Sequence, residues 1–144
     1  MTPAAAEDLR ARREAIVKAH IEAEAIHHSA DKTLATFRHP RYEVPALATT
    51  ADGAEAVRGL VGALLAAFPD FHLEVKAMHN AENAVIVECT FGGTHQGPWA
   101  GIDPTGKHMQ VDSVLIFQFE GADLVCEKVF FDHGTILRQL GAVA

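Results

Sequence analysis

The run PTGKHMQVDSVLIFQFEGADLVCEKVFFDHGTILRQLG, from Pro104 to Gly141, decides how the rest of the chain is read. It opens on a turn, Pro104-Thr105-Gly106-Lys107, and continues as two long strands, His108 to Glu120 and Leu124 to Asp132, joined by a hairpin at Gly121-Ala122-Asp123. A short amphipathic helical turn, His133 to Gly141, closes it. Both strands exceed the usual length of about five or six residues. Strands that long must twist and coil, and a coiled hairpin can wall a cone-shaped cavity. The middle of the first strand is apolar on both faces, with Leu115 and Phe117 on one and Val114 and Ile116 on the other. One face is expected to meet helices across a cavity. The other needs a cover, and a second copy of the chain, giving a homodimer, is the simplest.

Upstream of this run lie two more strands. Phe71, Leu73, Val75 and Ala77 alternate with His72, Glu74, Lys76 and Met78, so one face is buried and the other wet. Asn80 to Asn83 makes a hairpin turn, after which Val85, Val87, Cys89 and Phe91 share a face. Gly92-Gly93 suggests a bulge or sharp bend. The loop THQGPWAGIDPTGK, Thr94 to Lys107, then leads to the long hairpin.

Before the strands come helices. Thr2-Pro3 reads as a cap with proline at the first helical position, opening a helix that reaches about His28. A short helix is expected from Asp31 to before Pro40. Arg41 to Thr50 is irregular or short strand, interrupted by Pro45. Asp52, with Glu55 three residues on, reads as the capping box of a third helix ended by Pro69. Helices first and a mostly antiparallel sheet after is an α+β pattern: a strongly curved sheet forming a cone around a pocket, packed with three N-terminal helices and a short C-terminal one. At 144 residues the chain is read as a single domain, 1–144.

Composition narrows the function classes. The chain is 49% hydrophobic and 22% charged, with a net charge of −7 and its Lys and Arg scattered. That leaves no electrostatic footprint for nucleic acid. No basic amphipathic stretch or long apolar run argues for a membrane. The opening MTPAAAEDLRARREA has no apolar core of a signal peptide. Cys89 and Cys126 read as buried thiols in a reducing compartment, and the expected location is cytoplasmic.

Four stretches, AAFPDFHLEV (Ala66 to Val75), GTHQGPWAGIDPTGK (Gly93 to Lys107), LIFQFE (Leu115 to Glu120) and EKVFFDHGTILRQLG (Glu127 to Gly141), resemble the SnoaL-like branch of the nuclear-transport-factor-2-like superfamily. The resemblance runs from about Ile16 to Gly141. It implies three helices packed into a curved sheet, a pocket inside the cone, and dimerisation through the outer sheet face. Cyclases of this branch close a ring by intramolecular aldol chemistry with an acid/base carboxylate and no cofactor. Asp132 matches the position of that carboxylate, whereas Leu115 stands about where those cyclases carry a histidine.

Asp132 has two readings from its surroundings. It is an acid/base at the pocket mouth, with Phe130 beside it, or it is the cap of the last helix. His20, Glu24 and His28 share a helix face at intervals of four. His20 with Glu24 is polar pocket lining, a solvated pair or, with a distant histidine, a metal site. No compact metal-ligand spacing appears among the histidines, so no metal or cofactor is expected. His95, in the loop after the glycine pair, is a further catalytic candidate. His39, Tyr42 and Trp99 are candidate substrate contacts at the pocket rim or lid. The function these residues point to is acid/base proton transfer, cyclase-like or isomerase-like, on a small hydrophobic carbonyl compound. The alternative is a ligand-binding or dimerisation module of the same fold without catalysis. What separates the two is whether His20, Glu24, His95 and Asp132 meet.

Overall fold

The computed structural model describes residues 1–143. They form four helices and six strands, in the order α1 (Pro3–Ala25), α2 (Ala30–Leu34), β1 (Arg41–Val44), β2 (Thr49–Asp52), α3 (Ala54–Ala67), β3 (His72–Asn80), β4 (Ala84–Thr94), β5 (His108–Glu120), β6 (Asp123–Phe131) and α4 (His133–Gln139). One turn of 3-10 helix, Pro45–Leu47, separates β1 from β2. The strands make a single curved, unclosed sheet in the order β2-β1-β6-β5-β4-β3. Every neighbouring pair is antiparallel except β1 and β6, which run parallel with Tyr42 opposite Glu127. No helix of the described residues is long and apolar enough to cross a membrane.

The long hairpin is the spine of this sheet. Along β5 the residues Met109, Val111, Ser113, Leu115, Phe117 and Phe119 are buried, while Gln110, Asp112 and Val114 are exposed. The buried row meets α1 and α3 through Val17, Val57 and Val61. Phe117 is fully buried in that core, and its truncation to Ala is expected to cost about 3–5 kcal/mol through the cavity it would leave.

The rotation of α1 sets the polar part of the interior. Arg13, Val17 and His20 are buried at helical spacing, and Glu24 follows on the same face. Arg13 pins that face from the far end. Its Nε donates to the Gly121 carbonyl at 2.8 Å and its Nη1 to the Glu82 carbonyl at 2.9 Å, so one side chain holds both hairpin turns. The guanidinium also lies 5.4 Å over the Phe119 ring. With Arg13 fixed, His20 and Glu24 face the sheet.

Three local expectations are corrected. Asp52 does not cap α3: the cap position is Gly53, without a side-chain bond, and the Asp52 carboxylate is taken by His39 at 2.6 Å and Arg41 at 3.2 Å. Gly92 and Gly93 do not bulge, because both stay in regular register with Gln110 and Met109. They are places of close approach. A Cβ on Gly92 would sit 2.6 Å from the Met109 carbonyl, and one on Gly93 would sit 2.8 Å from Phe68 Cβ. The irregularity lies instead in β3, between Val75 and Ala77. An extra residue there reverses the alternation, so Met78, opposite Val87, packs on the core in place of Ala77.

Candidate active site

A cavity of about 220 Å³ opens between α3, the inner face of the sheet and the loop after β4. Its walls are apolar, including Leu60, Leu64, Leu73, Leu115 and Val129. Tyr42, Phe71, Phe91, Trp99 and Phe131 add aromatic faces. Trp99 is presented by a tight turn: Trp99 and Ile102 exchange backbone hydrogen bonds at 3.0 and 2.7 Å, and Ala100 and Gly101 both have positive φ. That geometry is the two-residue hairpin turn that favours glycine.

The ionisable groups on the cavity wall are Glu24 from α1, Tyr42 from β1 and Glu127 from β6. They converge on His20, which lies behind them and is 1% exposed. His20 Nε2 is 2.9 Å from Tyr42 Oη, 2.7 Å from Glu127 Oε1 and 3.3 Å from Glu24 Oε2. Tyr42 donates its hydroxyl proton to Glu24 at 2.8 Å. On the other side of the ring, Nδ1 is 2.8 Å from Thr36 Oγ1, and Thr36 gives its own proton to the Thr33 carbonyl at 2.7 Å. A hydroxyl has one proton, so Thr36 can only accept from Nδ1, and Tyr42 can only accept from Nε2. Both ring nitrogens therefore carry protons, and His20 is an imidazolium held between two carboxyl groups.

The electrostatics agree with that proton count. Burial disfavours the charged ring, but Glu127 and then Glu24 outweigh it and hold His20 at about 9. Glu127 is pushed above the usual carboxylate range, by burial first; His20 opposes the rise and Glu24 adds to it. Burial and the two carboxylates raise Tyr42 well above the ordinary phenol value, so it stays a donor. The Nε2–H is directed at Tyr42, which leaves Glu127 Oε1 close to the ring but without an aligned donor, although the atom is buried. His20, Glu24 and Glu127 each bring a donor atom within 4.8 Å of the others, a set of ligand atoms close enough for one metal ion. Cys89 and Cys126 are free thiols that burial pushes up to about 12, so neither is a ready nucleophile.

The structure thus brings together His20, Glu24 and Tyr42, and it adds Trp99 to the wall. It sets four other candidates apart. Asp132 occupies the cap position of α4: its carboxylate accepts from Gly134 N at 3.2 Å and Thr135 Oγ1 at 2.7 Å, with Arg138 at 3.5 Å. Its side chain is 67% exposed and does not line the cavity. Phe130 points to the outer face, 40% exposed, and its neighbour Phe131 takes the inward place. His39 is exposed and paired with Asp52. His95 is fully buried, but against Phe68 at 5.6 Å, with its Nδ1 accepting from Thr105 N at 3.2 Å. It is a packed loop anchor away from His20.

Glu127 is the residue that reading the sequence missed. Its signal was parity: it lies four and two residues before Phe131 and Val129, on the inward face of a strand otherwise apolar there. What conceals it is the parallel pairing of β1 with β6, which joins Tyr42 to Glu127 across the sequence.

Comparison with known proteins follows the same fold. AclR from Streptomyces galilaeus, described as a putative hydroxylase, superposes with a TM-score of 0.77 at 25% identity, covering 92% of this chain and 83% of that one. A putative SnoaL-like polyketide cyclase from Jannaschia gives 0.79 at 18% identity, over 93% and 94% of the two chains. IdmH from Streptomyces antibioticus, a putative polyketide cyclase, gives 0.69 at 22% identity, over 90% and 98%. No curated protein matches the chain at a significant level. The model of the SnoaL-like polyketide cyclase family matches residues 14–140. That span holds the whole sheet, the cavity and all four residues of its polar floor, and the chain belongs to the SnoaL-like polyketide cyclase family.

Proposed function

We propose that this protein is a cofactor-free enzyme that moves a proton on a small hydrophobic carbonyl compound, in the manner of a cyclase or an isomerase. The observation that carries the reading is the convergence of Glu24, Glu127, Tyr42 and His20 on the polar floor of an otherwise apolar cavity. Such a floor supplies the parts the chemistry needs. Glu127 is the base: its Oε1 has no aligned donor, and a carboxyl raised above the usual range is a stronger proton acceptor than an ordinary one. Tyr42 is the hydroxyl that turns from Glu24 to the carbonyl oxygen as negative charge develops there. His20 positions both and offsets the charge of the enolate.

The second reading, a binding module without catalysis, is favoured by one observation: the carboxylate of Asp132, at the position that matches the family's acid/base, is engaged by the cap. A crystal soaked with 2-tetralone separates the two readings. The enzyme reading expects the ketone oxygen within hydrogen-bond reach of Tyr42 Oη and an α-carbon against Glu127. A ketone lodged with its oxygen away from the floor would sink it.

We further propose that the chain is a homodimer, joined through the outer sheet face where Val114 and Phe130 are exposed. Sedimentation at micromolar concentration should give twice the 15.5 kDa chain mass. A clean monomer there would refute the dimer.

A further inference from the structure

We propose that the compound taken by this cavity also carries a protonated amine, which docks on the Glu24–Glu127 floor while its apolar body lies among the aromatic walls. The inference rests on the cavity being the working site and adds the chemical class of what enters it. Its first ground is the charge inventory. Two carboxyl groups face one imidazole, and that ring lies behind them. The residues lining the cavity include no Lys, Arg or His. The second ground is independent of charge. Glu127 is 2% exposed, and its Oε1 has the charged His20 ring at 2.7 Å but no N–H aligned on it. A buried acceptor with no aligned donor is only partly satisfied, and a ligand that supplies one in line completes it. An ammonium group offers up to three protons and a charge, whereas an alcohol offers one proton. The third ground is the wall. Tyr42, Phe71, Phe91, Trp99 and Phe131 give aromatic faces whose negative quadrupoles favour a cation. An anionic ligand meets the opposite conditions on every count. Two carboxylates also permit two tasks, one holding the cation while the other accepts the proton.

The test uses binding and needs no turnover. Trp99 is the only tryptophan and lines the cavity, so its fluorescence reports occupancy. The probes are benzylamine, which is cationic at pH 7, benzyl alcohol as its neutral counterpart, and benzoate as the anion. Benzylamine is expected to bind at least tenfold more tightly than benzyl alcohol, and benzoate is expected not to bind. Glu127→Gln and Glu24→Gln should each shrink the preference for the amine over the alcohol. Melting curves confirm that each variant is folded, and the second keeps the test open if the first is not. Equal or tighter binding of the alcohol would overturn the proposal. So would an amine preference that survives in both glutamine variants. A failed preference leaves the proton-transfer reading standing, and failure of proton transfer with the preference intact leaves this one.

Discussion

Asp132 and Glu127 are carboxylates five positions apart in sequence, near or on the same strand, and they live in opposite worlds. Asp132 is exposed and has its oxygens engaged by Thr135, Gly134 and Arg138. The Thr135 hydroxyl above all, then the cap amide, hold it below the usual carboxylate range. Glu127 is buried, faces a cavity, and is raised by that burial. One carboxylate is stabilised as an anion and has little tendency to take a proton. The other lies beside a proton and has an oxygen to spare. Position along a family's pattern singled out the first. Environment singles out the second, because a carboxylate's chemistry is set by what already occupies its lone pairs.

The contrast breaks most visibly in stability. Glu127→Ala leaves the His20 imidazolium buried without its nearest counter-ion, so it is expected to cost about 3–5 kcal/mol in denaturant unfolding. Asp132→Ala loses only a cap and is expected to cost about 1 kcal/mol. Equal costs would mean that the buried cluster is not an ionic unit.

The pH dependence of melting sharpens the same point. His20 is raised in the folded state to about 9 from 6.5, so its contribution is complete below about pH 6.5 and is lost as pH rises toward 9. Glu127 is raised as well, and a raised carboxyl also favours the folded state at lower pH, so the two add in sign. Asp132, lowered, acts at the other end: its contribution is present above the ordinary carboxylate value and lost as pH falls through its folded one. The melting temperature is therefore expected to decline between pH 6.5 and 9, and Glu127→Gln should flatten the decline. A melting temperature that rises over that interval would contradict the proton count at the floor. The smallest expected effect is Asp132→Asn. Asn caps about as well as Asp, so neither melting nor activity should change measurably.

Much of the fold was legible because its signals are local. The alternation of β5 and β6, the Gly121 hairpin, the Thr2-Pro3 cap and the Pro69 stop each depend on neighbours in sequence. The site was legible in part. His20 and Glu24 were marked by their shared helix face, and Tyr42 by being a lone polar aromatic near the helices. Two things hid the remainder. A single extra residue in β3 shifts which side chains face inward, and period-two reading cannot see it. The parallel contact of β1 with β6 creates the Tyr42–Glu127 neighbourhood, and nothing local encodes it. Asp132 kept two readings in the sequence for a related reason: a cap and a catalytic acid occupy the same kind of sequence position, and the structure shows the cap bonds made.

The group proposed to take the proton is Glu127 rather than Asp132. The direct measurement is exchange of the α-hydrogens of 2-tetralone in deuterated buffer, followed by proton NMR, for the wild type, Glu127→Gln and Asp132→Asn. The wild type should accelerate exchange above buffer, Asp132→Asn should retain that rate, and Glu127→Gln should lose about two orders of magnitude or more. Loss of exchange in Asp132→Asn, with Glu127→Gln still active, would contradict the account at its centre.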